Sequence, residues 1–159
     1  MPSKRNVPVR LCEFSIRIGP TTGHETEPKQ VSPLEMKASA YVQSWRTARP
    51  SKINFGVGKR LEMDDLTAAY GTVPARIADV SVFALFEPQT HPAGDILDTG
   101  LWRFHVVDTS ALEARIGHAK SASLATIQAF GPCVRLHELR SAIDRAIAAS
   151  PAPRSGSTG

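Results

Sequence analysis

The sequence predicts an α/β fold of the mixed α+β kind, with helices covering a central sheet. Three observations predict it. Residues 9–18, VRLCEFSIRI, alternate apolar and polar in the manner of a half-covered strand. Residues 78–86, ADVSVFALF, are almost wholly apolar, as expected of a central strand covered on both faces. Towards the other end Leu136, Leu139, Ile143, Ala146 and Ile147 recur at helical spacing and make one apolar stripe.

In chain order, Cys12, Phe14, Ile16 and Ile18 share one face of the first strand, with Glu13 and Ser15 on the other. The polar stretch from Gly19, punctuated by Pro20, Gly23 and Pro28, is a loop. PLEMKAS, residues 33–39, is a second strand. Ser39 is the N-cap expected for a short helix over 40–47, with Tyr41 and Trp45 stacked at i, i+4 and Pro50 marking its end. SKINFGVG gives a third strand ending in a glycine turn, and RLEMDDLTAAYG a helical turn. After the central strand and a Pro/Gly-containing loop, LWRFHVV alternates, with Trp102, Phe104 and Val106 on one face. Ser110 to Glu113 reads as a capping box, so a helix starts there and stops near Gly117. The last helix runs from Leu136 to Ala149.

A chain of 159 residues, 42% hydrophobic, suits one domain with a real core, expected over 9–149. Residues 1–8 and the Pro/Ser/Gly-rich tail, 150–159, are expected to be disordered. The longest apolar stretch, VSVFALF, is too short to span a bilayer, and Arg10 and Glu13 interrupt any signal-peptide core. Two separated cysteines, Cys12 and Cys133, make no disulfide framework. A cytoplasmic protein that makes no use of a membrane is therefore expected. The net charge of +4 permits a polyanionic partner without requiring one.

Several fragments carry no chemistry. The glycines of GPTTGHET have the wrong spacing for a phosphate loop, and His24 stands where a lysine is needed. GVGK, residues 56–59, is a plain turn. The five histidines do not pair at zinc spacing. No G-x-S-x-G supports a serine hydrolase.

Glu35-Met36-Lys37 is different. On a strand, Glu35 and Lys37 leave the same face about 7 Å apart, while Leu34, Met36 and Ala38 take the other. A carboxylate beside an ammonium suits metal-assisted phosphodiester hydrolysis. The carboxylate holds a hard cation such as Mg²⁺ or Mn²⁺, and the ammonium stabilises charge growing on the phosphoryl oxygens. Gln43, just beyond, is placed to face the same site. The competing reading is a solvated ion pair worth under about 1 kcal/mol. A polyanion such as DNA at this site would meet Lys120, Lys59 and Arg60 first, with Lys52, Arg76, Arg103 and His118 further candidates, although for each a solvated surface position is the commoner reading.

LEMKASAYVQSW, followed by SKINFGV, RIADVSVFALF, LWRFHVVDTSAL, KSASL and a closing helix, resembles a group of bacterial proteins of the PD-(D/E)xK, restriction-endonuclease-like superfamily. The resemblance runs from about Leu34 to Ile147. It implies a central sheet flanked by helices and a magnesium-dependent endonuclease. Glu35 would be the second metal-binding acid, Lys37 the catalytic lysine and Gln43 a supporting polar residue. Asp79 matches a recurrent acid to which no catalytic role is attached. The chain departs from the pattern at its N-terminal part, which is atypical or truncated. The resemblance implies a first acid on the strand before E-x-K, and Ser15 stands at its position; Glu13, on the same face one pleat along and longer, would be an imperfect substitute. The helix expected ahead of that strand has no counterpart in residues 1–8. The alternative function is a catalytically inactive module of the same fold that binds nucleic acid or protein.

Overall fold

The computed structural model describes residues 14–18, 32–42, 49–61, 69–90 and 94–150. Four strands pair in the order β1-β2-β4-β5: β1 Phe14–Ile18, β2 Ser32–Ala40, β4 Val80–Phe86 and β5 Trp102–Asp108. β2 runs parallel to β4 and the other pairs are antiparallel, so the sheet is mixed. A second, two-stranded sheet joins β3 Asn54–Gly56 to β6 Ser121–Ser123. Among the described residues three α-helices complete the fold: α1 Thr109–Ile116, α2 Leu124–Gln128 and α3 Leu136–Ala149.

β4 lies between β2 and β5, and every one of its seven residues is buried. That explains its apolar run, interrupted only by Ser81. Val80, Val82 and Ala84 pack with Leu34, Phe104, Leu139 and Ile143, which puts α3 on one face of the sheet. Phe83 and Leu85 pack the opposite way, with Ile53, Phe55, Val57, Val107, Leu112, Ala122 and Ile127. The β3–β6 pair, α1 and α2 therefore cover the second face. The Phe55 and Phe83 rings meet edge-on at 5.1 Å at the centre of this layer.

The expected mixed α+β layers are present, and α3 spans the residues that its stripe marks. The differences are local. Ser39 is not an N-cap: it is paired with Leu85, and Ala40 with Phe86, because the parallel ladder to β4 claims both. Tyr41 and Val42 form a bend, and Tyr41 packs on the core, while the helix expected over 40–47 otherwise falls outside the described residues. Ser110 is not the cap of α1. Asp108 is, its carboxylate accepting from the Ala111 N–H at 2.9 Å, a stronger acceptor two residues earlier. Gly117, at φ 53°, ends that helix in a conformation that L side chains rarely adopt. Leu136 begins α3 45% exposed, so the stripe enters the core from Leu139 onward. The helical turn expected over 60–71 falls largely outside the described residues, but Arg60 itself pairs with Ala75 in an isolated bridge.

Candidate functional site

β2 presents Leu34, Met36 and Ala38 to the α3 side. Glu35 and Lys37 consequently leave on the opposite face, and they meet there, with Lys37 Nζ 2.9 Å from Glu35 Oε1. The two ends of this ion pair differ. Lys37 is buried at 3% exposure, whereas the Glu35 side chain is 24% exposed. Register explains the burial, since Lys37 is aligned with Phe83 of β4, which Phe55 covers. Glu35 is aligned with the smaller Ser81, which leaves its carboxylate nearer to water.

Other polar groups occupy the same face. Ser81 and Thr109 are buried and share a 3.3 Å hydroxyl contact. Asp79 extends the ladder by one residue, its N–H donating to the Pro33 carbonyl and its carbonyl accepting from the Thr109 N–H. Two residues from Ser81, it has the parity of the Glu35 face and is half-buried. His105, aligned with Phe83, is buried, and its Nδ1 has no hydrogen-bond partner. Burial lowers its pKa, only partly offset by a hydrogen bond to the Gly131 backbone.

On β1, Ser15 occupies the register position opposite Glu35. Glu13 and Gln43 lie outside the described residues. Among the described residues no group of three or more His, Cys, Asp or Glu side chains is arranged to hold a metal. The donor chemistry nonetheless suits magnesium. That ion keeps several waters and takes one or two carboxylates, with substrate phosphate completing its shell. Glu35 offers such a carboxylate with water access, and Asp79 stands on the same face.

The cations expected to meet phosphate fall into two groups. Lys59 is 2.6 Å from Glu113, whose second carboxylate oxygen bonds Arg76. Arg76 is almost wholly covered and donates from Nε to the Val57 carbonyl at 3.1 Å, so it ties three segments together. Its neighbours Lys59 and then Arg76 hold the Glu113 carboxyl below its ordinary pKa, against a smaller effect of burial. Arg103 is paired with Glu87 at 2.7 Å. Lys52, Arg60, His118 and Lys120 are exposed. The Arg76–Glu113 clamp has no local signal in the sequence, because its members are 37 residues apart.

A cavity of about 500 Å³ lies elsewhere, lined by Thr99, Gly100, Arg135, Leu136 and His137 at the start of α3. It includes neither member of the pair.

Fold and site together define a mixed α+β domain with a small mixed sheet, three helices and an acid–ammonium pair on one sheet face. The chain matches no protein-family model, no curated protein and no solved structure. Among the described residues no helix is long and apolar enough to cross a membrane.

Proposed function

We propose that the domain is a restriction-endonuclease-like, magnesium-dependent DNA endonuclease that hydrolyses phosphodiester bonds at the Glu35–Lys37 pair. The observation that carries this reading is the 2.9 Å contact between a carboxylate with water access and a buried ammonium on one face of β2. Magnesium, when bound, supplies positive charge at the scissile phosphate and acidifies a coordinated water. Glu35 would hold the ion, with Asp79 on the same face. Lys37 contributes a fixed positive charge whose position is set by Phe83 and Glu35 rather than by solvent. An ammonium so placed stabilises charge on phosphoryl oxygens without reorganising. The same reading places the protein in the cytoplasm, where DNA and magnesium are found together.

Plasmid DNA incubated with the purified protein tests it. Nicking or linearisation that requires Mg²⁺ or Mn²⁺ and falls by about 100-fold or more in Glu35→Ala and in Lys37→Ala supports the enzyme. Intact plasmid under every metal condition overturns it.

A second reading is favoured by Ser15, which stands opposite Glu35 where the superfamily pattern calls for an acid. It retains the fold as a nucleic-acid-binding module without catalysis. Its signature is a salt-sensitive gel shift with uncut DNA.

A further inference from the structure

We infer that the Ile96–Leu97 turn and the cavity beside it at the start of α3 form a two-fold interface with a second copy of this chain. Each copy seats its turn in the other's cavity. The inference does not rest on the nuclease reading.

Local hydrogen bonds build the projection. The Asp95 carboxylate accepts from the Leu97 N–H at 2.9 Å, and the Asp95 carbonyl accepts from the Asp98 N–H at 2.9 Å. The Trp102 indole N–H donates to the Ile96 carbonyl at 2.9 Å, and the Asp98 carboxylate accepts from the Gly100 N–H at 2.9 Å. The turn so fixed leaves Ile96 64% and Leu97 81% exposed, and no other large apolar side chain among the described residues is more exposed than Leu97. Two adjacent apolar side chains held in water on a pinned backbone lose little further freedom when a partner covers them.

The recess begins two residues on. Thr99, Gly100, Arg135, Leu136 and His137 line its 500 Å³ or so, and Leu136 there is itself exposed. Projection and recess are fixed relative to one another. Arg135 donates to the Gly100 carbonyl, and Phe104 and Val134 exchange backbone hydrogen bonds at 3.0 and 2.8 Å, which ties the approach to α3 onto β5. An apolar projection beside a recess on one rigid unit is self-complementary about a two-fold axis, because both contacts form together and the assembly closes.

Charge selects a second copy as the occupant. The projection is flanked by Asp95 and Asp98, whose carboxylates accept backbone N–H groups and, among the described residues, meet no cation. The recess carries Arg135 and His137, and among the described residues the Arg135 guanidinium meets no carboxylate. Glu138, the nearest acid along α3, is committed to the Arg135 N–H at 3.0 Å. The first N–H groups of this 14-residue helix add to the positive field. A two-fold pairing brings the acids of one copy to the partner's Arg135, and opposed charges at the rim of a contact steer its formation. The same acids repel an anionic bilayer or a nucleic-acid strand from the projection.

Sedimentation velocity of the purified chain from about 1 μM to about 1 mM tests the interface. The weight-average mass should climb from 17.2 kDa towards twice that value. Leu97→Asp sets a charge in the apolar contact and should weaken association by about 100-fold or more, leaving a monomer throughout with the urea midpoint of the wild type. The double variant Asp95→Asn, Asp98→Asn keeps an oxygen acceptor for the Leu97 and Gly100 N–H groups but removes both charges. It should associate about tenfold more weakly. Val73→Asp, at a 74% exposed apolar position beyond the Arg60–Ala75 bridge, should match the wild type. A wild type that stays monomeric at every concentration overturns the interface, as does unchanged association in Leu97→Asp or in the double variant. Equal loss in Val73→Asp also overturns it. Growth of the mass past twice the monomer overturns the two-fold arrangement, since an open chain of copies does not close.

Discussion

Ser15 and Glu35 are Cα partners across the antiparallel β1–β2 ladder. Directly opposed positions on such a ladder share a face, about 5 Å apart. An aspartate at 15 would therefore stand beside Glu35 and offer a second hard oxygen donor. Ser15→Asp is expected to tighten Mn²⁺ binding by about tenfold or more, because affinity for hard cations rises with ligand charge. Isothermal titration of both proteins with Mn²⁺ measures this. Equal affinities would show that position 15 does not face the ion. If the wild type lacks cleavage and Ser15→Asp gains it, the serine is what silences the site.

Loss of activity in a pair variant means little if the variant unfolds, and the burial asymmetry predicts which one does. Glu35→Ala leaves a buried ammonium without the carboxylate 2.9 Å away, at a cost of about 1–3 kcal/mol. Lys37→Met removes the buried charge and keeps its stem volume, so it should cost under about 1 kcal/mol. Urea denaturation distinguishes the two. Lys37→Met is thus the cleaner probe of chemistry, and a Lys37→Met protein that melts earlier than Glu35→Ala would refute the asymmetry.

What the sequence made legible was what short-range periodicity encodes. β4 is apolar at every position but Ser81 because it is central, and α3 carries a stripe because one face meets the sheet. The Glu35–Lys37 contact was legible for the same reason: a spacing of two on a strand sets one face. β6 and α2 were not, since three and five residues are too few to establish a period. Ser39 misled because its chemistry suits a cap, but the ladder to Leu85 outweighs that local preference. The N-terminal strand is described only over Phe14–Ile18, so Glu13, the substitute acid, lies outside the described residues.

Arg76 illustrates a residue whose role depends on distant partners. As a surface cation it would be a phosphate contact. In the fold its guanidinium bonds the Val57 carbonyl and the Glu113 carboxylate, under cover. Arg76→Met is expected to lower stability by about 2–4 kcal/mol, because a carbonyl and a carboxylate lose a charged donor. Lys52→Gln, exposed, should shift stability by under about 0.5 kcal/mol. Equal melting of Arg76→Met and the wild type would return Arg76 to the pool of surface cations.

His105 makes stability depend on pH in a defined direction. It sits on the inner face of β5, buried, with Nδ1 unpartnered, and burial lowers its pKa below the ordinary 6.5. The unfolded chain therefore binds the proton more readily than the native protein does. Stability from this group is fully present above the unfolded pKa and is lost as pH falls through the lowered folded value. The slope approaches about 1.4 kcal/mol per pH unit between the two values. Protonation would place an imidazolium beside Phe83 with no acceptor at Nδ1. Urea midpoints from pH 8 to pH 4.5 should therefore decline below about 6.5 in the wild type. His105→Gln retains a donor for the Gly131 backbone but cannot titrate, and should remove that component of the decline. If both proteins lose stability in parallel over this window, His105 is not the group responsible.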